Sequence, residues 1–186
     1  DTPRVSNKDI EKSIKESLAF LKKVIDQSNK AIPIMNGINV AIVGKPNVGK
    51  SSLLNAILNE NKAIVSDIPG TTRDTIQYSA VIDGLTYNFI DTAGIHQSSD
   101  KIENLGIDQT KKMIDKADLV LFMVDGSRPY DKDDEKIYKL IKNKKHIVVI
   151  NKGDLKQTKL PLKGVVISAK KKQIEKLFKD IGKNIL

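Results

Sequence analysis

A doubly wound α/β fold, built on a mostly parallel six-stranded sheet, is predicted by three observations. Apolar runs suited to buried strands alternate with helix-length segments along residues 38–186. A glycine-bounded turn, Gly44-Lys45-Pro46-Asn47-Val48-Gly49-Lys50-Ser51, joins the first of these strands to the first of these helices. Asp83-Gly84 separates two strand-like runs and marks a tight hairpin, so one strand is antiparallel to the rest.

Taken in order, residues 8–30 read as an amphipathic helix. Ile10, Ile14, Leu18, Leu21 and Ile25 recur at steps of three or four among Lys, Glu and Asp, and Ser6 or Asn7 can cap the first turn. The apolar stripe suits a helical bundle, a seam with a second chain, or packing on the remainder of this one. Residues 31–37, with Pro33 and Gly37, read as a linker. The chain therefore divides into an N-terminal helix and linker (1–37) and a second domain (38–186). In that domain strands are expected at 38–43, 76–82, 85–90, 119–124, 146–150 and 165–167. Helices are expected from Ser52, and at about 105–116, 132–142 and 171–184. In such a sheet the ligand lies beyond the C-terminal ends of the strands.

Composition narrows the classes. The 186 residues contain 39% hydrophobic residues, enough for one α/β core and an extra element, and no cysteine, which excludes disulfides and thiolate metal sites within them. No run reaches membrane-spanning length and no signal-peptide pattern is present, so a cytoplasmic protein without membrane contact is expected. The first residue is Asp1 rather than Met, which suggests a fragment of a longer protein. The net charge of +9 is uneven: residues 142–186 hold 13 Lys against 3 Asp or Glu. These lysines read as solvated helix faces, with RNA contact as the alternative. Phe178 is the one aromatic in 170–186 able to stack on a base.

The glycine-bounded turn has the spacing G-x-x-x-x-G-K-S, a phosphate cradle when a strand leads in and a helix leads out. Backbone N–H groups of Asn47, Val48, Gly49, Lys50, Ser51 and Ser52 would face polyphosphate oxygens at a helix N-terminus. Gly44 and Gly49 permit the tight turn. Lys50 would reach the β- and γ-phosphates, and the Ser51 hydroxyl would ligate Mg²⁺. Asp91-Thr92-Ala93-Gly94 follows a strand; Asp91 can hold Mg²⁺ through water, and the Gly94 N–H can sense a γ-phosphate. In Gly70-Thr71-Thr72-Arg73-Asp74 a threonine hydroxyl can complete the Mg²⁺ shell.

Asn151-Lys152-Gly153-Asp154 selects the base. A carboxylate at Asp154 accepts from guanine N1–H and the 2-amino group, and adenine offers neither donor there. Ser168-Ala169-Lys170, one strand later, would bring a backbone N–H towards guanine O6. The nucleotide is then GTP or GDP. Two absences constrain catalysis. Ile95 stands after Gly94 and cannot orient water, and only three arginines occur, Arg4, Arg73 and Arg128, so a charge-neutralising arginine has few candidates.

These motifs resemble those of the MnmE (TrmE) family of tRNA-modification GTPases, from about residue 8 to the C-terminus. The strongest parts are 44–55, 63–74 and 91–106, the last containing Asp100-Lys101-Ile102-Glu103. The resemblance implies a P-loop GTPase domain that dimerises across its nucleotide face with potassium bound. It implies that Asn47 and backbone carbonyls of the following loop, at Ser66 and Ile68 with Thr71 nearby, hold K⁺. Thr72 matches the Mg²⁺-contacting threonine, and Glu103 matches the glutamate that orients the attacking water. Catalysis would then rest on Glu103 and Lys50, with K⁺ in place of an arginine. Lys45 departs from the family's usual arginine, Pro69 replaces a small residue, and the residues after Lys170 lack the usual glycines.

The family's folate-binding and cysteine-bearing parts have no counterpart here, so the chain reads as its GTP-binding domain with one helix of the surrounding helical domain. The implied partners of the full-length protein are MnmG (GidA), which carries a flavin, and tRNA, whose wobble uridine is modified. Two alternatives stand beside this reading: a ribosome-assembly GTPase of the Der type, and a nucleotide-binding switch with little turnover in isolation.

Overall fold

A computed structural model describes residues 7–60, 78–90 and 106–185. Two compact units make up the chain, Asp1–Asn36 and Gly37–Leu186.

The first unit is helix α1 (Asn7–Asn36). It continues through the segment expected to be a linker. Pro33 carries no N–H donor, yet the helical path persists for three more residues. The stop is Gly37, whose φ of 76° supplies the left-handed residue that commonly closes a helix. Ile10, Ile14, Leu18, Leu21 and Ile25 are all exposed.

The second unit alternates strand and helix: β1 (Ile38–Val43), α2 (Lys50–Glu60), β2 (Tyr78–Ile82), β3 (Leu85–Phe89), α3 (Gly106–Lys116), β4 (Leu119–Asp125), α4 (Lys132–Ile141), β5 (His146–Asn151), β6 (Val165–Val166) and α5 (Glu175–Ile185). The six strands form one sheet in the order β2-β3-β1-β4-β5-β6. β2 and β3 pair antiparallel around Asp83-Gly84, with Ile82 opposite Leu85. β1 is parallel to both β3 and β4, and β4-β5 and β5-β6 are also parallel. The order reverses at β1, whose C-terminal end is therefore a switch point open to a ligand.

The period-two alternation of the strands divides the core between the two sheet faces. Ile38, Val40, Ile42, Leu119, Leu121, Met123, Ile147 and Val149 pack with Leu53, Leu54 and Ile57 of α2 and Leu177 and Ile181 of α5. Ala41, Val43, Val120, Phe122, Val124, Val148 and Ile150 pack with Ile114 of α3 and Ile141 of α4. Burial on both faces explains why β1, β4 and β5 are almost continuously apolar.

α5 starts at Glu175, four residues later than expected. The lysine run is drawn into a turn instead. Ser168 bridges Gln173, and Lys172 takes a φ of 56°, so the helix cannot begin before that turn closes. Of the strand expected at 76–82, the first two residues lie outside the described residues.

Candidate nucleotide site

β1 delivers the phosphate loop to the switch point and α2 leaves from it, its first residue being Lys50. Asn47, at the loop's exposed tip, has a φ of 62°, which asparagine tolerates better than most residues. Gly49 has a φ of 102°, and a Cβ added there would run into the Asn151 side-chain amide. The glycine is thus required both by the turn and by the approach of β5.

Lys50 folds back over the loop. Its Nζ donates to the carbonyls of Gly44 (2.9 Å) and Lys45 (2.7 Å). Burial lowers its pKa from 10.5 to about 8, because the charged form is poorly solvated there. A polyphosphate would favour the charged form and raise that pKa again. GDP affinity is therefore expected to be flat below pH 8 and to fall by up to about tenfold per pH unit above it. Isothermal titration with GDP across pH 7–9.5 checks this, and Lys50→Arg should flatten the profile. Folding stability should move the opposite way in the nucleotide-free protein. A cation with a depressed pKa opposes folding while charged in the unfolded chain, so stability rises as pH climbs from about 8 towards 10.5.

The motif expected to select the base lies at the end of β5. Asn151 is 3% exposed. Its Nδ2 donates to the Val48 carbonyl (2.8 Å), and its Oδ1 accepts from the Ala169 N–H (3.0 Å). One buried amide thus joins the phosphate loop to the Ser168-Ala169-Lys170 loop. Asp154 accepts a 2.6 Å hydrogen bond from Ser168 Oγ, which, with burial opposing, holds its carboxyl below the usual range. Ser168 also accepts from the Lys171 N–H (3.3 Å), and the Gly153 N–H donates to Ile167 (2.8 Å). The two loops expected to flank guanine are therefore bonded to each other independently of any ligand.

Lys152 sits at a φ of 62° and is anchored by its Nζ to Asp125 Oδ2 at 2.6 Å. Asp125 was not singled out from the sequence. Its other oxygen, Oδ1, accepts from the Ser127 N–H (3.0 Å) and hydroxyl (2.6 Å), and Arg128 Nε approaches Oδ2 at 3.6 Å. Although burial opposes it, the Lys152 and Ser127 bonds keep the Asp125 carboxyl below its ordinary pKa. An acid at a strand's C-terminal end followed by Gly126-Ser127, a side-chain-capped turn, was the available signal. Lys45 is also engaged from outside its loop, by Asp131 (2.5 Å) and Asp134 (2.9 Å) at the start of α4.

The structure thus brings together Asn47, Val48, Gly49, Lys50, Ser51 and Ser52 with Asn151, Lys152, Asp154, Ser168, Ala169 and Lys170 at one end of the parallel strands. Ser66, Ile68, Thr71, Thr72, Asp91, Gly94 and Glu103 lie outside the described residues. Among the described residues no helix is long and apolar enough to cross a membrane.

The family described as "50S ribosome-binding GTPase" matches residues 39–152. The chain is 50% identical over 186 residues to the tRNA modification GTPase MnmE of Malacoplasma penetrans, covering all of this chain and 42% of that protein. It is 50% identical over 163 residues to MnmE of Ureaplasma parvum, covering 88% of this chain and 36% of the relative. The chain thus spans less than half the length of these relatives. Among solved structures, Era of Aquifex aeolicus bound to GDP and AlF4⁻ is similar with a TM-score of 0.57 and 36% identity, over 79% of this chain and 56% of that one. The G domain of the T. maritima FeoB iron transporter is similar with a TM-score of 0.53 and 26% identity, over 80% of this chain and 99% of that one.

Proposed function

Because this chain belongs to the 50S ribosome-binding GTPase family, and within it to the MnmE proteins, we propose that it is a potassium-stimulated GTP-hydrolysing domain, activated by pairing with a second copy. In the longer protein it would serve modification of a tRNA wobble uridine together with MnmG (GidA), in the cytoplasm. The observation that supports guanine-nucleotide binding most directly is the double role of Asn151, which ties Val48 of the phosphate loop to Ala169 of the base loop. Phosphate and base subsites are thereby held in fixed register, which lowers the ordering needed on binding.

Ser51, Thr72 and Asp91 would hold Mg²⁺, and their hydroxyl and carboxylate oxygens are the hard donors that ion prefers. Asn47, Ser66, Ile68 and Thr71 would hold K⁺. The exposed, left-handed Asn47 suits that assignment, since it stands at the loop's outer tip with its amide not committed to the core. Such ions supply positive charge where the leaving phosphates gain negative charge. Lys50 binds the phosphate oxygens, Asp154 and Ser168 fix the base, and Glu103 would orient water. Ile95 makes an external or distant water-orienting group necessary.

GTP turnover in KCl should exceed that in NaCl at matched ionic strength by tenfold or more, and should rise more than linearly with protein concentration. Glu103→Ala should lower turnover by about 10²-fold or more with GDP affinity nearly unchanged. Equal slow rates in both salts, linear in protein, would leave a nucleotide-binding switch instead.

A further inference from the structure

Helix α4 begins with a reciprocal cap. Asp131 Oδ1 accepts from the Asp133 and Asp134 N–H groups (2.9 and 3.2 Å), and Asp134 Oδ2 accepts from the Asp131 N–H (3.2 Å). Both carboxylates also receive Lys45 Nζ, at 2.5 and 2.9 Å. Asp134 is 4% exposed, and its Oδ1 has no hydrogen-bond partner among the described residues. A buried carboxylate with an unsatisfied oxygen depends strongly on the cation that pairs with it among the described residues. That cation comes from the phosphate loop. The same residue's main-chain carbonyl accepts the Lys50 Nζ at 2.7 Å. A continuous chain therefore runs from the α4 cap through the Lys45 side chain to the Lys45 carbonyl and on to Lys50.

We propose that Lys45 is a positioning residue for nucleotide binding, latching the phosphate loop to the N-terminus of α4 and so setting where Lys50 stands. The proposal rests on reading that loop as the phosphate site. When Lys50 leaves its two carbonyls for phosphate oxygens, the loop retains its shape through the Lys45 side chain, which is held from outside the loop. Without the latch, Asp134 is left buried without its cation, and the loop can follow Lys50 away from the binding geometry. The consequence is faster nucleotide release rather than altered base choice.

The test is stopped-flow release of a fluorescent GDP analogue, with thermal unfolding measured in parallel. Lys45→Met should accelerate release by tenfold or more, and Lys45→Arg should stay within threefold of the parent, because a guanidinium can span the same two carboxylates. Lys136→Met removes an exposed lysine paired with Asp133 on the same helix and should leave release unchanged. A lower melting temperature in Lys45→Met with unchanged release would reduce the pair to a structural strut and overturn the proposal. Failure of Lys45→Arg to restore slow release would also overturn it. If the parent chain itself binds no GDP, the nucleotide reading fails and the latch with it. If the parent binds GDP and Lys45→Met releases it at the parental rate, the latch alone fails.

Discussion

Asp154→Asn is expected to weaken GDP binding by roughly 10³- to 10⁴-fold while leaving the melting temperature close to the parent's. The carboxylate is partly exposed, and among the described residues its side-chain partner is Ser168 Oγ at 2.6 Å, a bond that an asparagine carbonyl can also accept. The fold therefore loses little. The ligand loses much, because guanine presents two N–H donors to this side chain and an amide supplies one acceptor and one donor. The donor then faces the 2-amino group, and the mismatch is desolvated. Xanthine carries a carbonyl at that position, so xanthosine diphosphate should gain what GDP loses. Competition binding with the two diphosphates measures both changes at once. Ser168→Ala provides the graded control. It removes the hydroxyl that orients Asp154 but keeps the charge, and about a tenfold loss for GDP with no gain for xanthosine diphosphate is expected. If Asp154→Asn binds both diphosphates as the parent does, the base is not read by this motif.

Much of the fold was legible because each element carried its own local signal. Strands buried on both faces read as unbroken apolar runs, and β1, β4 and β5 lie within a residue of where those runs end. Asp83-Gly84 announced the antiparallel hairpin, and Asp83 does take a left-handed φ of 50° there. The misplacements share a cause: residues whose local preference was overridden by what followed. Pro33 argued for a break, but a proline near a helix end forfeits few bonds, and the glycine after it decides the stop. Lys171 and Lys172 had helix-forming composition, but the Ser168–Gln173 bridge held them in a turn.

At the site, residues with motif spacing were legible, and the bonds that tie them to one another were not. Asn151 and Asp154 could be read along the chain, because their spacing is local. Their partners Val48, 103 residues away, and Ser168, 14 residues away, meet them only through the order of strands in the sheet. Asp125 and Asp134, unlike Val48 and Ser168, carry no motif and were missed altogether. An acid near a turn is ordinary in sequence, and only the tertiary approach of Lys152 and Lys45 distinguishes these two.

Gly49→Ala is expected to abolish measurable GDP binding, a loss of 10²-fold or more. Two effects combine there. An alanine at a φ of 102° is strained by about 1–3 kcal/mol. The new methyl also collides with Asn151 Nδ2, which now donates to the Val48 carbonyl. Moving Asn151 aside leaves that buried carbonyl unsatisfied, at a further 1–3 kcal/mol, and frees the Ala169 loop from its other end. Backbone strain and steric collision can be separated within this chain. Gly84 has a similar φ of 81°, but nothing lies within 4 Å of where its Cβ would stand. Gly84→Ala should therefore lower the melting temperature through strain alone and keep GDP affinity within about threefold. If Gly49→Ala behaves in the same way, losing stability but not affinity, then the Asn151 bridge between the two loops is dispensable for binding. If affinity is lost only in Gly49→Ala, the bridge is what holds the phosphate and base subsites in register.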